Sequence, residues 1–132
     1  VQTLTFSWPP VAAGVAPGFL SVALLTANNL RDADTDNAAG KKTLAVRFGK
    51  GFARTEYALC LLGGLVAAPV ALVVARGGPW PALAVALLAV PAAFPLRTVL
   101  RSDDPQALIG ALGATGKLLL LFSILFSIGW NL

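Results

Sequence analysis

The sequence predicts an all-α protein, a polytopic bundle of about four transmembrane helices. Hydrophobic residues make up 57% of the 132 residues and charged residues only 12%, and the mean hydropathy is +0.78. This composition is too apolar for a soluble domain with a polar surface. The apolar residues also fall into four stretches of 17 or more, separated by charges or by Pro and Gly. A helix of about 20 apolar residues crosses a bilayer, so each stretch is a predicted span.

The first two predicted spans flank the most highly charged part of the chain. Residues 11–27 form the first, with Pro17 and Gly18 expected to bend the helix. Trp8 is expected to anchor its outer end, because indole rings favour the membrane interface. Residues 57–75 form the second.

The last two predicted spans are residues 79–96 and 107–130. Only the short run 76–79, RGGP, separates the second span from the third, which predicts a tight turn and an antiparallel helical hairpin. In the fourth span only residues 118–130 are uninterrupted, so its start is undefined. The glycines before that run recur every three residues and are expected to allow close helix packing: Gly110, Gly113 and Gly116.

Basic residues predict the orientation in the membrane. Eight lie between spans one and two or between spans three and four, namely Arg31, Lys41, Lys42, Arg47, Lys50, Arg54, Arg97 and Arg101. Only Arg76 lies in the loop on the other side. By the positive-inside rule, residues 28–54 form a cytoplasmic loop of a multi-pass protein of the cell inner (plasma) membrane. The same rule accounts for the net charge of +4, so we expect no nucleic-acid partner.

Three aspartates distinguish this aspartate-rich loop, residues 28–54, from an ordinary basic loop. Asp32 and Asp36 are four residues apart, so in a helix they share one face about 6 Å apart along the axis. Asp34 would point to another side. Two carboxylates so placed predict a metal site, and Mg²⁺ commonly binds one or two carboxylates together with waters and phosphate oxygens.

Cations beside the aspartates predict a phosphorylated substrate. Arg31, Lys41 and Lys42 could bind the charge that a metal leaves uncompensated. Taken alone, these basic residues would be explained by their effect on the orientation of the chain in the membrane. Asn28 and Asn29, at the end of a hydrophobic span, have either a ligand or a capping role.

Other single residues have less specific interpretations. Lys117 in the last span is either a substrate contact or a lysine that extends to the cytoplasmic interface. Cys60 is expected to be a small buried residue, and Glu56 to lie at the interface. The chain has no Met and no cleavable signal pattern, so we expect it to be part of a longer protein.

The run NNLRDADTDNAAGKKTLAVRFG closely resembles the second aspartate-rich motif of the UbiA superfamily of membrane prenyltransferases. Within it, GKKTLAVRFG is similar to the corresponding segment of one branch of the family, the enzymes that act on 1,4-dihydroxy-2-naphthoate in menaquinone biosynthesis. VQTLTFSW and DDPQALIGALGATGKLLLL resemble the segments before and after it, so the resemblance covers nearly the whole chain. Asn37 departs from the pattern, because a basic or small residue is common there.

The resemblance implies a nine-helix bundle of which this chain supplies the C-terminal part. Asp32 and Asp36 would hold Mg²⁺ against the diphosphate of a polyprenyl donor, and Lys41, Lys42 and Arg31 would contact its oxygens. The acceptor, 1,4-dihydroxy-2-naphthoate, would be prenylated at carbon with decarboxylation. A first motif, NxxxDxxxD, is absent and is expected in a missing N-terminal half, so the chain alone should be inactive.

Two alternatives remain open from the sequence. Another UbiA-type enzyme could prenylate 4-hydroxybenzoate or a different acceptor. A nonenzymatic helical membrane module could use the charged loop as a gate or docking surface, and it would need neither Mg²⁺ nor DxxxD spacing.

Overall fold

The protein is all-helical in the part of the chain that the computed structural model describes, residues 8–76, 83 and 86–131. Its helices are α1 (Trp8–Arg31), α2 (Ala33–Ala38), α3 (Leu44–Arg76), α4 (Ala89–Arg101) and α5 (Pro105–Asn131). Three segments are long and apolar enough to cross a membrane: Ala13–Arg31, Leu44–Val74 and Pro105–Gly129. The predicted class, a helical membrane bundle, is confirmed.

The prediction of a loop over residues 28–54 is wrong, because most of that stretch is helical. Helical hydrogen bonds continue past the apolar residues, with Asp32 N–H donating to Asn28 C=O at 3.1 Å and Asp36 N–H to Asp32 C=O at 2.8 Å. Hydropathy locates apolar side chains, whereas a helix ends only where its backbone hydrogen bonds end. The helix of the second predicted span, α3, likewise begins before residue 57, at Leu44.

Specific residues end and restart the helices around this stretch. Gly40 has φ +73° and turns the chain after α2, a conformation that costs glycine little. The Thr43 hydroxyl then accepts a hydrogen bond from Val46 N–H at 3.3 Å and caps the start of α3. Gly49, at φ +87° and ψ +166°, breaks α3 into a short first turn and a long helix.

The last two spans are described to different extents. The predicted turn at residues 77–78 and the first residues of the predicted span 79–96 lie outside the described residues, and α4 itself begins at Ala89. By contrast, α5 is continuous through its glycines. Asp104 caps α5 by accepting hydrogen bonds from Gln106 N–H and Ala107 N–H.

Close packing of α1 against α3 holds the centre of the bundle. Buried residues three or four apart along α1 form the face that meets α3: Ala16, Leu20, Ala23, Ala27 and Leu30. Of the described glycines, Gly64 is the most tightly packed, since a Cβ atom there would lie 2.8 Å from Leu20 Cγ and 3.1 Å from Ala16 O. Among the described residues, a Cβ at Gly110 or Gly113 would meet nothing within 4 Å, and one at Gly116 would meet only Leu24 Cδ1, at 3.9 Å, so these residues do not show the close packing predicted for the three glycines.

Two hydrogen bonds between polar side chains cross this apolar interior. Tyr57 is fully buried and its hydroxyl lies 2.7 Å from Thr115 Oγ1. Because Thr115 donates its own proton to Ala111 O, Tyr57 is the donor, and the bond joins α3 to α5. Glu56, predicted at the interface, is half-buried and accepts a hydrogen bond from the buried hydroxyl of Thr26 on α1 at 3.2 Å.

Arg54 fixes the connection between α4 and α5. Its guanidinium donates to the carbonyls of Val99 and Ser102, both at 3.1 Å, and to Asp103 Oδ1 at 2.7 Å. The positive charge therefore lies at the C-terminal end of α4, where the helix dipole favours it. Arg54 was predicted only as a basic residue that sets the membrane orientation, and the structure shows that it also caps the C-terminal end of α4.

Candidate functional site

The junction of α1 and α2 brings together the residues that the sequence singles out. Asp32 stands between the two helices with φ −91° and ψ 4° and makes no side-chain cap. Instead, both its carboxylate oxygens accept from Arg31, with Nε–Oδ1 at 2.7 Å and Nη2–Oδ2 at 2.6 Å. This two-point contact fixes the carboxylate plane at the end of the membrane helix.

Asp36 lies one turn further on and is the more buried of the two acids. Its side chain is 8% exposed, against 31% for Asp32. The Lys41 ammonium, carried back over α2 by the turn at Gly40, donates to Asp36 Oδ1 at 2.6 Å. Burial of an ionised carboxylate is costly unless it is paired, so Lys41 is required to balance its charge.

Asp34 belongs to a different face, as the helical spacing predicts. Its side chain is 85% exposed and pairs with Lys50 of α3 at 2.8 Å. It thus shares no partner with Asp32 or Asp36. The ion pair joins α2 to the start of the long part of α3, a structural role.

The charges of the site act on one another. The hydrogen bonds from Arg31 hold the pKa of the Asp32 carboxyl below its usual range, and the charge of Lys41 adds to that effect. Asp36 raises the pKa of Lys41, chiefly through their hydrogen bond, and Asp32 contributes by its charge. Because Lys41 interacts with both carboxylates, these side chains form one electrostatic unit.

An apolar groove follows α1 and ends at Asn28, one helical turn before Arg31 and Asp32. It has a volume of about 420 Å³ and is lined by Ser21, Leu24, Leu25, Asn28 and Leu112. The α1 residues recur every three or four positions, and the next positions on that face are Arg31 and Asp32. Asn28 is therefore the polar end of the groove. The sequence did not predict the other lining residues, although helical steps back from Asn28 lead to Ser21, Leu24 and Leu25 on α1.

The other predicted site residues lie further from the charged side chains at the junction of α1 and α2. Asn29 is half-buried near the end of α1, and Lys42 is exposed beside Lys41. Lys117 lies in a second groove, between α4 and α5, which has no lining residue in common with the groove at Asn28. The structure thus brings together Asn28, Arg31, Asp32, Asp36 and Lys41.

The donor set suits a hard divalent cation that also binds a phosphorylated ligand. Among residues 8–76, 83 and 86–131, no three or more His, Cys, Asp or Glu side chains converge as a metal site. Asp32 and Asp36 could supply two carboxylates, the number at which Mg²⁺ retains waters and takes phosphate oxygens. The residues present therefore fit Mg²⁺ only together with ligands from outside the chain.

Fold and site together define a helical membrane protein with a charged site at the mouth of an apolar groove. The chain belongs to the UbiA prenyltransferase family, whose sequence profile matches residues 1–115. No solved structure matches the chain at a significant level.

Several curated proteins are similar to this chain over most of its length. It is 39% identical to a 1,4-dihydroxy-2-naphthoate octaprenyltransferase of Mycobacterium tuberculosis, over 89% of this chain and 43% of that protein. It is 38% identical to the protein of that name from Escherichia coli, over 90% of this chain and 38% of that protein. It is 36% identical to the protein of that name from Haemophilus influenzae, over 98% of this chain and 42% of that protein. The chain therefore spans about two fifths of the length of these relatives.

Proposed function

We propose that this chain is the part of a membrane prenyltransferase that binds the diphosphate of a polyprenyl donor. The complete enzyme transfers the polyprenyl group to 1,4-dihydroxy-2-naphthoate in menaquinone biosynthesis. The observation that carries the proposal is the order of residues along one face of α1, where the apolar groove ends at Asn28 and the paired Arg31 and Asp32 follow one helical turn later. An anionic head joined to a long hydrocarbon tail is the kind of ligand that such a surface fits.

Each charged side chain has a role in this proposal. Mg²⁺ held by Asp32 and Asp36 would offset the negative charge that builds up on the departing diphosphate. Arg31 and Lys41 are each within hydrogen-bond distance of those carboxylates, so they are positioned to donate to diphosphate oxygens at the same place. Lys42, exposed next to Lys41, supplies a further cation.

The remaining residues orient the donor and keep water out. Asn28 lies between the charged unit and the groove, where its amide can hold the oxygen that joins diphosphate to the prenyl chain. The leucines of the groove would contact the hydrocarbon beyond it. Loss of diphosphate leaves an allylic cation, which the electron-rich acceptor ring attacks at carbon, and the acceptor's carboxyl group departs as CO₂. Preorganised charges in a water-poor site are an effective source of such catalysis.

The names of the relatives support the choice of acceptor. Each is called a 1,4-dihydroxy-2-naphthoate octaprenyltransferase. The chain spans only about two fifths of each relative, and we propose that the activity also needs a first aspartate motif outside this chain.

Reassembly in membranes tests the proposal. The chain would be expressed in a host that lacks its own naphthoate prenyltransferase, alone and together with the part of the M. tuberculosis relative that it does not match. We expect Mg²⁺-dependent formation of the prenylated naphthoquinol, detected by mass spectrometry, only when both parts are present. Product from the chain alone would show that the site is not divided.

The same membranes distinguish the alternatives. Prenylation of 4-hydroxybenzoate but not of dihydroxynaphthoate would support the proposed diphosphate site and contradict the proposed acceptor. Failure to transfer to either acceptor, with both parts shown to associate by copurification, would reject the enzymatic proposal.

A further inference from the structure

Lys41 is bound to the buried carboxylate that the proposed metal site needs. Its ammonium donates to Asp36 Oδ1 at 2.6 Å, and the Asp36 side chain is only 8% exposed. A buried carboxylate needs a cation beside it, and here Lys41 is that cation. The ammonium would repel Mg²⁺ at the same carboxylate, because charges a few ångströms apart interact strongly where water is excluded. Lys41 and a metal ion therefore compete for Asp36.

The two ion pairs of the site differ in how easily they can exchange. Arg31 binds Asp32, its neighbour in sequence, through two hydrogen bonds, a geometry that fixes both partners. Lys41 reaches Asp36 Oδ1 by one hydrogen bond, at the end of a flexible four-carbon side chain. The backbone of the turn is held separately, because Lys41 N–H donates to Asp36 C=O at 2.9 Å. The ammonium can therefore leave the carboxylate by rotation of its side chain alone.

The charges of Arg31, Asp32, Asp36 and Lys41 sum to zero, since these two ion pairs contain two carboxylates and two cations. A metal ion added alone would leave an excess of positive charge. A diphosphate added alone would leave an excess of negative charge. Because the two together nearly cancel, their joint binding is electrostatically favoured.

We propose that Lys41 exchanges partners when the donor binds, its ammonium moving from Asp36 Oδ1 to a diphosphate oxygen so that Asp36 becomes available to Mg²⁺. This inference rests on the proposed function and adds an order of binding to it. The site binds Mg²⁺ weakly by itself and takes up metal and diphosphate together. Between turnovers, Lys41 compensates the charge of the buried carboxylate.

Binding of Mn²⁺ to the purified full chain in detergent tests the competition. Electron paramagnetic resonance of free Mn²⁺ gives the affinity, with no diphosphate present. We expect Lys41→Met to bind Mn²⁺ about tenfold more tightly than the unaltered chain, because the metal no longer has to displace a hydrogen bond between charged groups. Lys41→Arg keeps the competing cation and should bind Mn²⁺ as weakly as the unaltered chain.

Two further variants control for net charge and for folding. Arg47→Met removes an exposed cation from the start of α3 and should leave the Mn²⁺ affinity unchanged. Gly40→Ala keeps Lys41 but places a Cβ atom at φ +73°, a conformation that is unfavourable for alanine. Gly40→Ala should therefore loosen the turn and raise the Mn²⁺ affinity, even if Lys41→Met does not fold.

Equilibrium dialysis of radiolabelled farnesyl diphosphate at a fixed Mn²⁺ concentration tests the second half of the exchange. Lys41→Met should bind this donor more weakly than the unaltered chain, although it binds Mn²⁺ alone more tightly. A purely structural role for Lys41 would weaken both kinds of binding.

The same measurements separate failure of this inference from failure of the proposed function. Equal Mn²⁺ affinities of Lys41→Met and the unaltered chain would refute the exchange, as would a loss of both kinds of binding in Lys41→Met. Adding Asp36→Ala to Lys41→Met should abolish the gain in Mn²⁺ affinity. If the gain persists, Asp36 does not hold the metal, and the proposed function is contradicted together with the exchange.

Discussion

Asp32 and Asp36 show how position within one helical turn gives two like residues different surroundings. Asp32 is partly exposed and held at two points by Arg31, whereas Asp36 is buried and paired with the exposed Lys41. Asp34, between them in sequence, points to solvent and to Lys50. The proposed chemistry therefore depends on two of the three acids.

Alanine substitutions in the reassembled enzyme test this division. We expect Asp32→Ala or Asp36→Ala to lower the rate of prenyl transfer by at least about a hundredfold, because each removes a carboxylate proposed to hold the Mg²⁺ that would bind the diphosphate. Asp34→Ala should cost less than about fivefold, since an exposed ion pair contributes about 0–1 kcal/mol. Steady-state rates with saturating donor measure the difference. Equal losses at all three positions would show that helical position does not assign the ligands.

Acid titration tests the coupling of Asp32 to Arg31. A carboxyl whose pKa is lowered on folding stabilises the fold above its unfolded value, about 3.9, and that stabilisation is lost as the pH falls through the lowered value. We expect Arg31→Gln to raise the pKa of Asp32, because the bound cation is removed while the partial burial remains. NMR of ¹³C-labelled aspartate in metal-free detergent solution measures this pKa.

The matched control for the titration is Arg47→Gln, which removes an exposed cation of α3. It should leave the pKa of Asp32 unchanged. An ordinary pKa for Asp32 in the unaltered chain would contradict the paired geometry.

At the scale of elements, the contact between α1 and α3 supports the site. The small residues Ala16, Ala23 and Ala27 on α1 allow the two helices to approach closely, and Gly64 on α3 is the most tightly packed of the described glycines. In a membrane, where helices gain little from leaving lipid, such packing is a principal source of association. The same helix places its buried face against α3 and its groove face toward α5.

Two adjacent glycines provide a test of this contact. A Cβ at Gly64 would overlap Leu20, whereas one at Gly63 would make ordinary contacts of 3.6–3.7 Å with the Phe19 ring. We expect Gly64→Ala to destabilise the bundle by about 1–3 kcal/mol, the usual cost of overpacking. Gly63→Ala should be neutral or stabilising, because alanine favours a helix by up to about 1 kcal/mol. Unfolding in mixed micelles with increasing dodecyl sulfate gives both values. A loss at Gly63→Ala as large as that at Gly64→Ala would contradict the interface.

At the scale of the whole molecule, the asymmetry of charge predicts which end faces the cytoplasm. The site, the Arg54 cap and the start of α5 all lie at the end of the bundle that carries most of the basic residues. Basic residues remain on the cytoplasmic side during insertion. The site would then meet its charged substrate from the cytoplasm and its prenyl chain from the bilayer.

Thiol labelling in intact cells tests this orientation. A cysteine at Ala39, in the turn after α2, should be protected from a membrane-impermeant maleimide until the cells are opened. A cysteine at Gly77, in the predicted external turn, should react at once. The native Cys60 lies within the candidate span Leu44–Val74 and should react in neither case. The reverse pattern of labelling would overturn the assigned topology.

The sequence by itself determined the membrane-helical class, and it singled out the residues of the candidate site. Composition decides the class because a bilayer admits only chains that satisfy their backbone hydrogen bonds internally and expose apolar side chains. The facing of Asp32 and Asp36 away from Asp34 followed from helical spacing, which is local. The resemblance of NNLRDADTDNAAGKKTLAVRFG to a known motif gave the family, which the match over residues 1–115 confirmed.

Only the tertiary structure decided what each of these residues contacts. The pairing of Lys41 with Asp36 depends on the turn at Gly40, and the caps made by Arg54 join residues more than forty positions apart. Close packing is a property of two helices, so a glycine repeat in α5 could not show that the tight contact lies at Gly64 instead. The groove beside Asn28 and the separate one at Lys117 likewise exist only between helices. Hydropathy and spacing describe one element at a time, whereas contacts between elements depend on how their faces are oriented in the bundle.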